Sequence, residues 1–291
     1  MIHARRWPLI LWRPEPLAPF GFRASPLVGL IVALAVAFSV GAAAPPPPPA
    51  VDAAAAILVD ARTGRVLFAR NEHQRLPPAS TTKIMTALLA AEALPLDALV
   101  AISARAANER GGAAIGLERG QWWTVDDLLR AMLLHSANDA AVALAEAAAG
   151  SVEAFASRMN AKARTLGARD THFVTPNGRY HPRHLTSAYD LARMAQAALA
   201  NPVLARMVVL RTWQLTRPNT PPRVIINTNR LLWQFIGADG VKTGWIAESG
   251  RCLVGSATRN GRRLIVVLLS APNLFTDAAH LLEYGFTQVP P

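Results

Sequence analysis

The spacing of apolar residues changes twice along this chain, from strand-like to helix-like and back, and that order restricts the architecture more than any other feature. Ala55, Ile57 and Val59, then Val66 and Phe68, lie two apart on either side of the turn-like run Asp60-Ala61-Arg62-Thr63-Gly64, which predicts a β-hairpin. Past Pro77 and Pro78, the segment Ser80–Ala93 carries Ile84, Leu88 and Ala91 at helical spacing, with a serine at its front. From Val125 to about Met207 helical spacing dominates: Leu128, Leu129, Met132 and Leu133, then Phe155, Met159 and Ala163, then Leu191, Met194 and Ala198. Beyond Gly240, Cys252-Leu253-Val254, the turn Arg259-Asn260-Gly261 and the apolar run Leu264–Leu269 predict a second hairpin, followed by a short helix over Thr276–Tyr284. Strands at both ends can share one sheet only if the ends come together. The expected class is therefore α+β: an antiparallel sheet formed by N- and C-terminal strands, flanked by helices, with a mainly helical middle region.

Ahead of this pattern, Arg5, Arg6, Arg13 and Arg23 precede an uncharged run from Ala24 to Ala44 that ends in small residues. A basic flank, an apolar middle and a small-residue end are the physical signature of export. The run has 21 residues, which is also long enough to span a bilayer. Residues 1–43 are thus expected to be a signal peptide cleaved before Ala44, or an uncleaved anchor giving membrane association; both place the remainder outside the cytoplasm. Pro45–Pro49 stiffen a proline-rich linker over 44–52, leaving 53–291 as the folded domain.

Removing residues 1–43 takes away four arginines and Glu15, so the formal charge falls from +11 to +8. A basic exported domain suits anionic surroundings, and no zinc-finger, helix-turn-helix or aromatic RNA-binding pattern accompanies the charge, which excludes nucleic acid as the expected partner. Cys252 is the sole cysteine, so stability comes from the core rather than from an internal disulfide.

Three short patterns carry chemistry. Ser80 and Lys83 stand three apart, on one face of a helix start. A neutral lysine beside a serine activates the hydroxyl as a nucleophile. Alone, this pair is more simply a capping serine followed by a surface lysine. The chain, however, has 27 arginines and only three lysines, Lys83, Lys162 and Lys242. Arginine is its ordinary cation, and arginine cannot serve where a titratable amine is required. Lys242-Thr243-Gly244 precedes the strand-rich tail, and Ser136-Ala137-Asn138 falls where a loop joins two helices. His181 and His184 are spaced like a ligand pair but lack a suitably placed carboxylate, so no metal is expected, and no other cofactor.

The order S-x-x-K, S-x-N, K-T-G, with Ser136 53 positions after Lys83 and Lys242 104 positions after Asn138, resembles the penicillin-recognising serine enzymes. The flanking residues Asp60–Leu67, Pro78–Thr86, Asp127–Leu133, Ser136–Ala141 and Gly240–Gly244 are similar to the low-molecular-mass D,D-carboxypeptidases of peptidase family S11, over roughly Ala55 to Phe286. The resemblance implies a β-lactamase/transpeptidase-like fold and a serine-type D-Ala-D-Ala carboxypeptidase. Its substrate would be a peptidoglycan stem peptide ending in D-Ala-D-Ala, with β-lactams as inhibitors. It assigns Ser80 as nucleophile, Lys83 as base and Ser136 as proton relay. Asn138 would hold the substrate amide, Lys242, Thr243 and Gly244 would line the carboxylate end, and the Trp245 N–H would share the oxyanion with that of Ser80.

Two departures accompany it. Ile246 stands where the family more often has threonine, and the family's carboxylate-binding arginine, beyond the last long strand, has no match between Ser270 and His280. The sequence ends soon after Phe286, without the β-rich domain and amphipathic anchor of many relatives, so the N-terminal segment is the expected means of attachment. A D,D-endopeptidase would use the same residues. A β-lactamase would need a deacylating glutamate in an E-x-x-L-N segment, which is missing, and a non-catalytic penicillin-binding module would bind without turnover.

Overall fold

The computed structural model describes residues 47–109, 111–217 and 220–287; residues 1–43, expected to direct export, and the start of the proline-rich linker lie outside the described residues. A five-stranded antiparallel sheet runs in the order β2-β1-β9-β8-β7, with β1 at Ala55–Asp60, β2 at Val66–Arg70, β7 at Ala238–Ile246, β8 at Gly250–Arg259 and β9 at Arg262–Leu269. The two ends of the domain meet as expected: Ala55 lies opposite Leu269, and Asp60 opposite Leu264. Asp60 also shapes the first turn, its Oδ1 accepting from the N–H groups of Arg62 and Thr63 and from the Thr63 hydroxyl.

All six β1 residues are buried, because the sheet is covered on both faces. Ile57, Val59, Val254, Ile265 and Val267 face one apolar cluster, and Leu58, Leu253, Leu264, Val266 and Leu268 face another. The first is packed by helices of the middle region, the second by the closing helix at Leu274–Thr287. That helix is longer at both ends than its apolar spacing indicated.

In the middle region α1 (Lys83–Ala93), α3 (Val125–Leu134) and α4 (Asn138–Ala149) pack together, α2 being a single turn at Ala104–Ala107. Seven of the twelve α4 residues are alanine, and every residue from Asn138 to Ala145 is buried; small side chains let its neighbours approach closely, so α4 forms the axis of this half. Thr124 caps α3 by accepting from the Asp127 N–H.

Two small sheets had no counterpart in the sequence reading. β3 (Leu99–Ala101) pairs with β4 (Trp122–Thr124), and β5 (Thr212–Arg217) with β6 (Thr220–Ile226). The first is too short to show a period. In the second the exposed face carries Val224 and Ile226, so polarity does not alternate as a half-buried hairpin predicts.

Candidate active site

Ser80 is not a helix cap. It lies in a 3₁₀ turn, Ala79–Thr82, that leads into α1 without a side-chain capping bond. Ala79 holds a left-handed backbone, φ +49°, which a residue with a β-carbon adopts at a cost. Ser80 is thereby turned toward a cleft of about 770 Å³ while Lys83 points inward. Lys83 is fully buried, and its Nζ donates to Ser80 Oγ at 2.8 Å, Asn138 Oδ1 at 2.7 Å and the Asn177 carbonyl at 2.7 Å. Burial, and then the charge of Lys242, hold its pKa well below the usual lysine value, against smaller opposing effects of Glu109 and Asp139.

The Ser136-Ala137-Asn138 loop joins α3 to α4. Ser136 lines the cleft with a left-handed φ of +65°. Asn138 is fixed from two sides: its Oδ1 accepts from Lys83, and its Nδ2 donates to the Gly111 carbonyl at 2.9 Å. Beside it Asp139, which lies in the matching stretch Ser136–Ala141 but is given no role by the resemblance, accepts from the N–H groups of Ile115, Gly116 and Leu117. It thus anchors the loop that forms the opposite wall of the cleft.

β7 is an end strand of the large sheet, and its edge beside Ser80 is the floor of the cleft. A β-carbon on Gly244 would lie 2.9 Å from the Ser80 nitrogen and 3.1 Å from the Pro78 carbonyl oxygen. Only glycine therefore lets the strand and the 3₁₀ turn come together and bring the backbone next to Trp245 beside the Ser80 N–H. Thr243 shares a 2.6 Å hydrogen bond between hydroxyls with Thr228. Lys242 is 1% exposed and does not line the cleft; its Nζ donates to the Thr243 carbonyl, and burial lowers its pKa to about 7. Trp245 is 67% exposed and forms part of the cleft rim.

The structure thus brings together Ser80, Lys83, Ser136, Asn138, Thr243, Gly244 and Trp245, with Lys242 just behind them. Asn177 and Gly178 escaped the sequence reading, though Asn-Gly is a turn signal. A β-carbon on Gly178 would sit 1.8 Å from the Ala79 carbonyl oxygen, so this turn presses directly on the one carrying Ser80. Among the described residues no group of three His, Cys, Asp or Glu side chains converges as a metal site.

His184 stands in a loop between the turn at Pro182-Arg183 and the bridge at Leu185, yet its ring is buried. It is 1% exposed; its Nδ1 accepts from the N–H groups of Val174 and Thr175, which leaves Nε2–H to donate to Thr82 Oγ1 at 2.9 Å. It ties the Asn177 turn to the 3₁₀ turn. Burial, with the nearby His172 and His181, holds its pKa down to about 3. Unfolded chains take up a proton on this ring near pH 6.5 and the folded protein does not, so stability falls as pH drops from 6.5 toward 3. At pH 4 the loss is on the order of 3 kcal/mol. Urea unfolding at pH 7 and pH 4 should show a smaller acid loss in His184→Asn than in the parent; parallel losses would remove His184 as the cause.

With this geometry in place, similarity to known proteins becomes informative. The sequence profile of the D-alanyl-D-alanine carboxypeptidase family, Peptidase_S11, matches residues 41–273. The D-alanyl-D-alanine carboxypeptidase DacF of Bacillus subtilis is 39% identical over 243 residues, covering 80% of this chain and 62% of its own. A D-alanyl-D-alanine endopeptidase of Pseudomonas aeruginosa is 33% identical over 274 residues, covering 88% of this chain and 85% of its own. Among solved structures, a D-alanyl-D-alanine carboxypeptidase from Mycobacterium tuberculosis superposes with a TM-score of 0.80 at 34% identity, covering 86% of this chain and 96% of that one. The chain therefore spans under two thirds of the Bacillus relative's length but nearly the whole of the mycobacterial fold. A profile match over most of the sequence, together with this superposition, shows that the chain belongs to the D-alanyl-D-alanine carboxypeptidase family.

Proposed function

We propose that this protein is a serine-type D-Ala-D-Ala carboxypeptidase that removes the terminal D-alanine from peptidoglycan stem peptides. The observation that carries the reading is the desolvated lysine amine 2.8 Å from the Ser80 hydroxyl, at the end strand of a sheet. With Lys83 neutral, two N–H groups satisfy Asn138 and Asn177 and the lone pair faces the Ser80 O–H. Ser80 Oγ then attacks the carbonyl between the two D-alanines, its proton passing to Lys83. The Ser80 and Trp245 N–H groups hold the oxyanion. Collapse breaks the amide bond, D-alanine leaves with a proton relayed through Ser136, and water hydrolyses the ester to restore the serine. An extended peptide lying along β7 is the mode of binding an exposed strand edge favours. β-Lactams would acylate the same hydroxyl. The basic, apolar start of the chain supports action outside the cytoplasm, with the N-terminal segment as signal or membrane anchor.

An endopeptidase that cuts crosslinks is the second reading, favoured by the similarity to the Pseudomonas protein. Products identified by mass after incubation with a stem pentapeptide and with a crosslinked dimer decide between them. Loss of one D-alanine from the pentapeptide, with the dimer intact, is the expected outcome; cleavage of the dimer alone would replace the carboxypeptidase by an endopeptidase, and an unchanged pentapeptide would refute the proposal.

A further inference from the structure

A substrate ending in a carboxylate needs a cation at the far end of the cleft. Lys242 is poorly suited to act alone: it is buried, it is committed to the Thr243 carbonyl, and with a pKa near 7 it is only partly charged at neutral pH. Among the described residues, those lining the cleft include three arginines, Arg179, Arg230 and Arg251, and no aspartate or glutamate. Arg179 is ion-paired with Glu109, which neutralises it. Arg230 sits at the turn before the short helix Leu231–Gln234.

Arg251 is placed differently. It is on β8 directly opposite Trp245, while Thr243 lies opposite Leu253. Opposed residues of an antiparallel pair share a face, as do residues two apart on one strand. Arg251 is therefore the diagonal neighbour of Thr243 on the same face, a separation of roughly 7–8 Å that long side chains bridge. Its Nη1 donates to the Pro272 carbonyl at 3.3 Å, which steadies the guanidinium beside Leu274 and Phe275 at the cleft wall. Among the described residues, its other four N–H donors meet no protein acceptor. The residue is exposed, so a ligand can reach it, and the planar fork matches a carboxylate in two-point fashion.

We infer that Arg251 is the specificity-determining residue that binds the substrate's terminal carboxylate, in partnership with the Thr243 hydroxyl. The inference rests on the carboxypeptidase reading and assigns recognition to a strand one step inside the sheet edge. It accounts for a segment, Ser270 to His280, in which no arginine is present: the guanidinium reaches that wall from β8.

The test compares a D-Ala-D-Ala peptide with the same peptide as its C-terminal carboxamide, for the parent, Arg251→Gln, Arg251→Lys and Arg230→Gln, with thermal melts as the check on folding. Arg251→Gln should lower kcat/KM for the free acid by about 10- to 100-fold, the range for a lost charge-assisted bond, and leave the carboxamide nearly unchanged. Arg251→Lys should recover part of the preference, and Arg230→Gln should keep it. Equal losses on both peptides, no loss, or a preference lost only in Arg230→Gln would overturn the assignment. Should Arg251→Gln fail to fold, the lysine variant carries the comparison alone, and a full preference in it would overturn the assignment. Should the parent cleave neither peptide, the hydrolase reading falls, but acylation by a penicillin and by its methyl ester still judges Arg251: the same selective loss against the free acid supports it, and equal rates refute it.

Discussion

Mixed with a penicillin, the Ser80→Ala protein is expected to keep its unmodified mass, while the parent gains one equivalent of drug. Removing the nucleophile of a serine hydrolase costs on the order of 10⁶-fold, far below detection on the timescale of such an experiment. The fold should survive, because among the described residues the hydroxyl bonds to the Lys83 amine alone, and that amine keeps its bonds to Asn138 and Asn177. A thermal melt close to the parent's establishes this. Ser136 also lines the cleft, but among the described residues it makes no hydrogen bond to a lysine, whereas Ser80 does. An adduct on Ser80→Ala, or one mapped to Ser136 in the parent, would overturn the assignment of the nucleophile.

The second large effect separates charge from basicity. Lys83→Arg should slow acylation by ~10²–10⁴-fold, the range for loss of a general base, because arginine retains the charge but cannot accept a proton at neutral pH. Lys242→Arg provides the control for size. Both lysines are essentially unexposed, so the larger head overpacks both sites, and an excess loss at Lys83 measures the proton-accepting role. The parent's acylation rate should also rise with pH and level off well below pH 10.5, since the amine is held below its ordinary pKa by burial and by Lys242. Rates with a fluorescent penicillin, taken alongside melts, check both. Equal losses in the two variants would remove Lys83 as the base.

What could be read in advance followed from how local the cause was. The hairpin β1–β2, the long terminal strands and the helices of the middle region each leave a period in a short stretch of sequence. Ser80, Lys83, Ser136, Asn138 and Lys242 stood out because their spacing, and the choice of lysine in an arginine-rich chain, are local as well. Asp139 offered no such sign: its partners lie 22 to 24 residues earlier in the chain. His184 acts on Thr82 across 102 residues, so only the folded chain distinguishes it from His181. Arg251 is one of 27 arginines until the β7–β8 register places it diagonal to Thr243. The start of α1 misled because Ser80 resembles a cap, whereas the chain forms a 3₁₀ turn around left-handed Ala79.

The strand order β2-β1-β9-β8-β7 also sets a timetable. Among the described strands β1 is synthesised first, yet one of its two edges is completed only by β9, the last of them. Until Leu269 has been made, β1 has β2 as its only partner in the sheet and two apolar faces without their final cover. Contacts so distant in sequence close slowly, and a chain in that condition is exposed to aggregation. The same delay leaves the whole stretch from β1 to β9 without its finished sheet while it is being made, so a process that needs an extended chain can act on that stretch before the sheet closes rather than having to undo it.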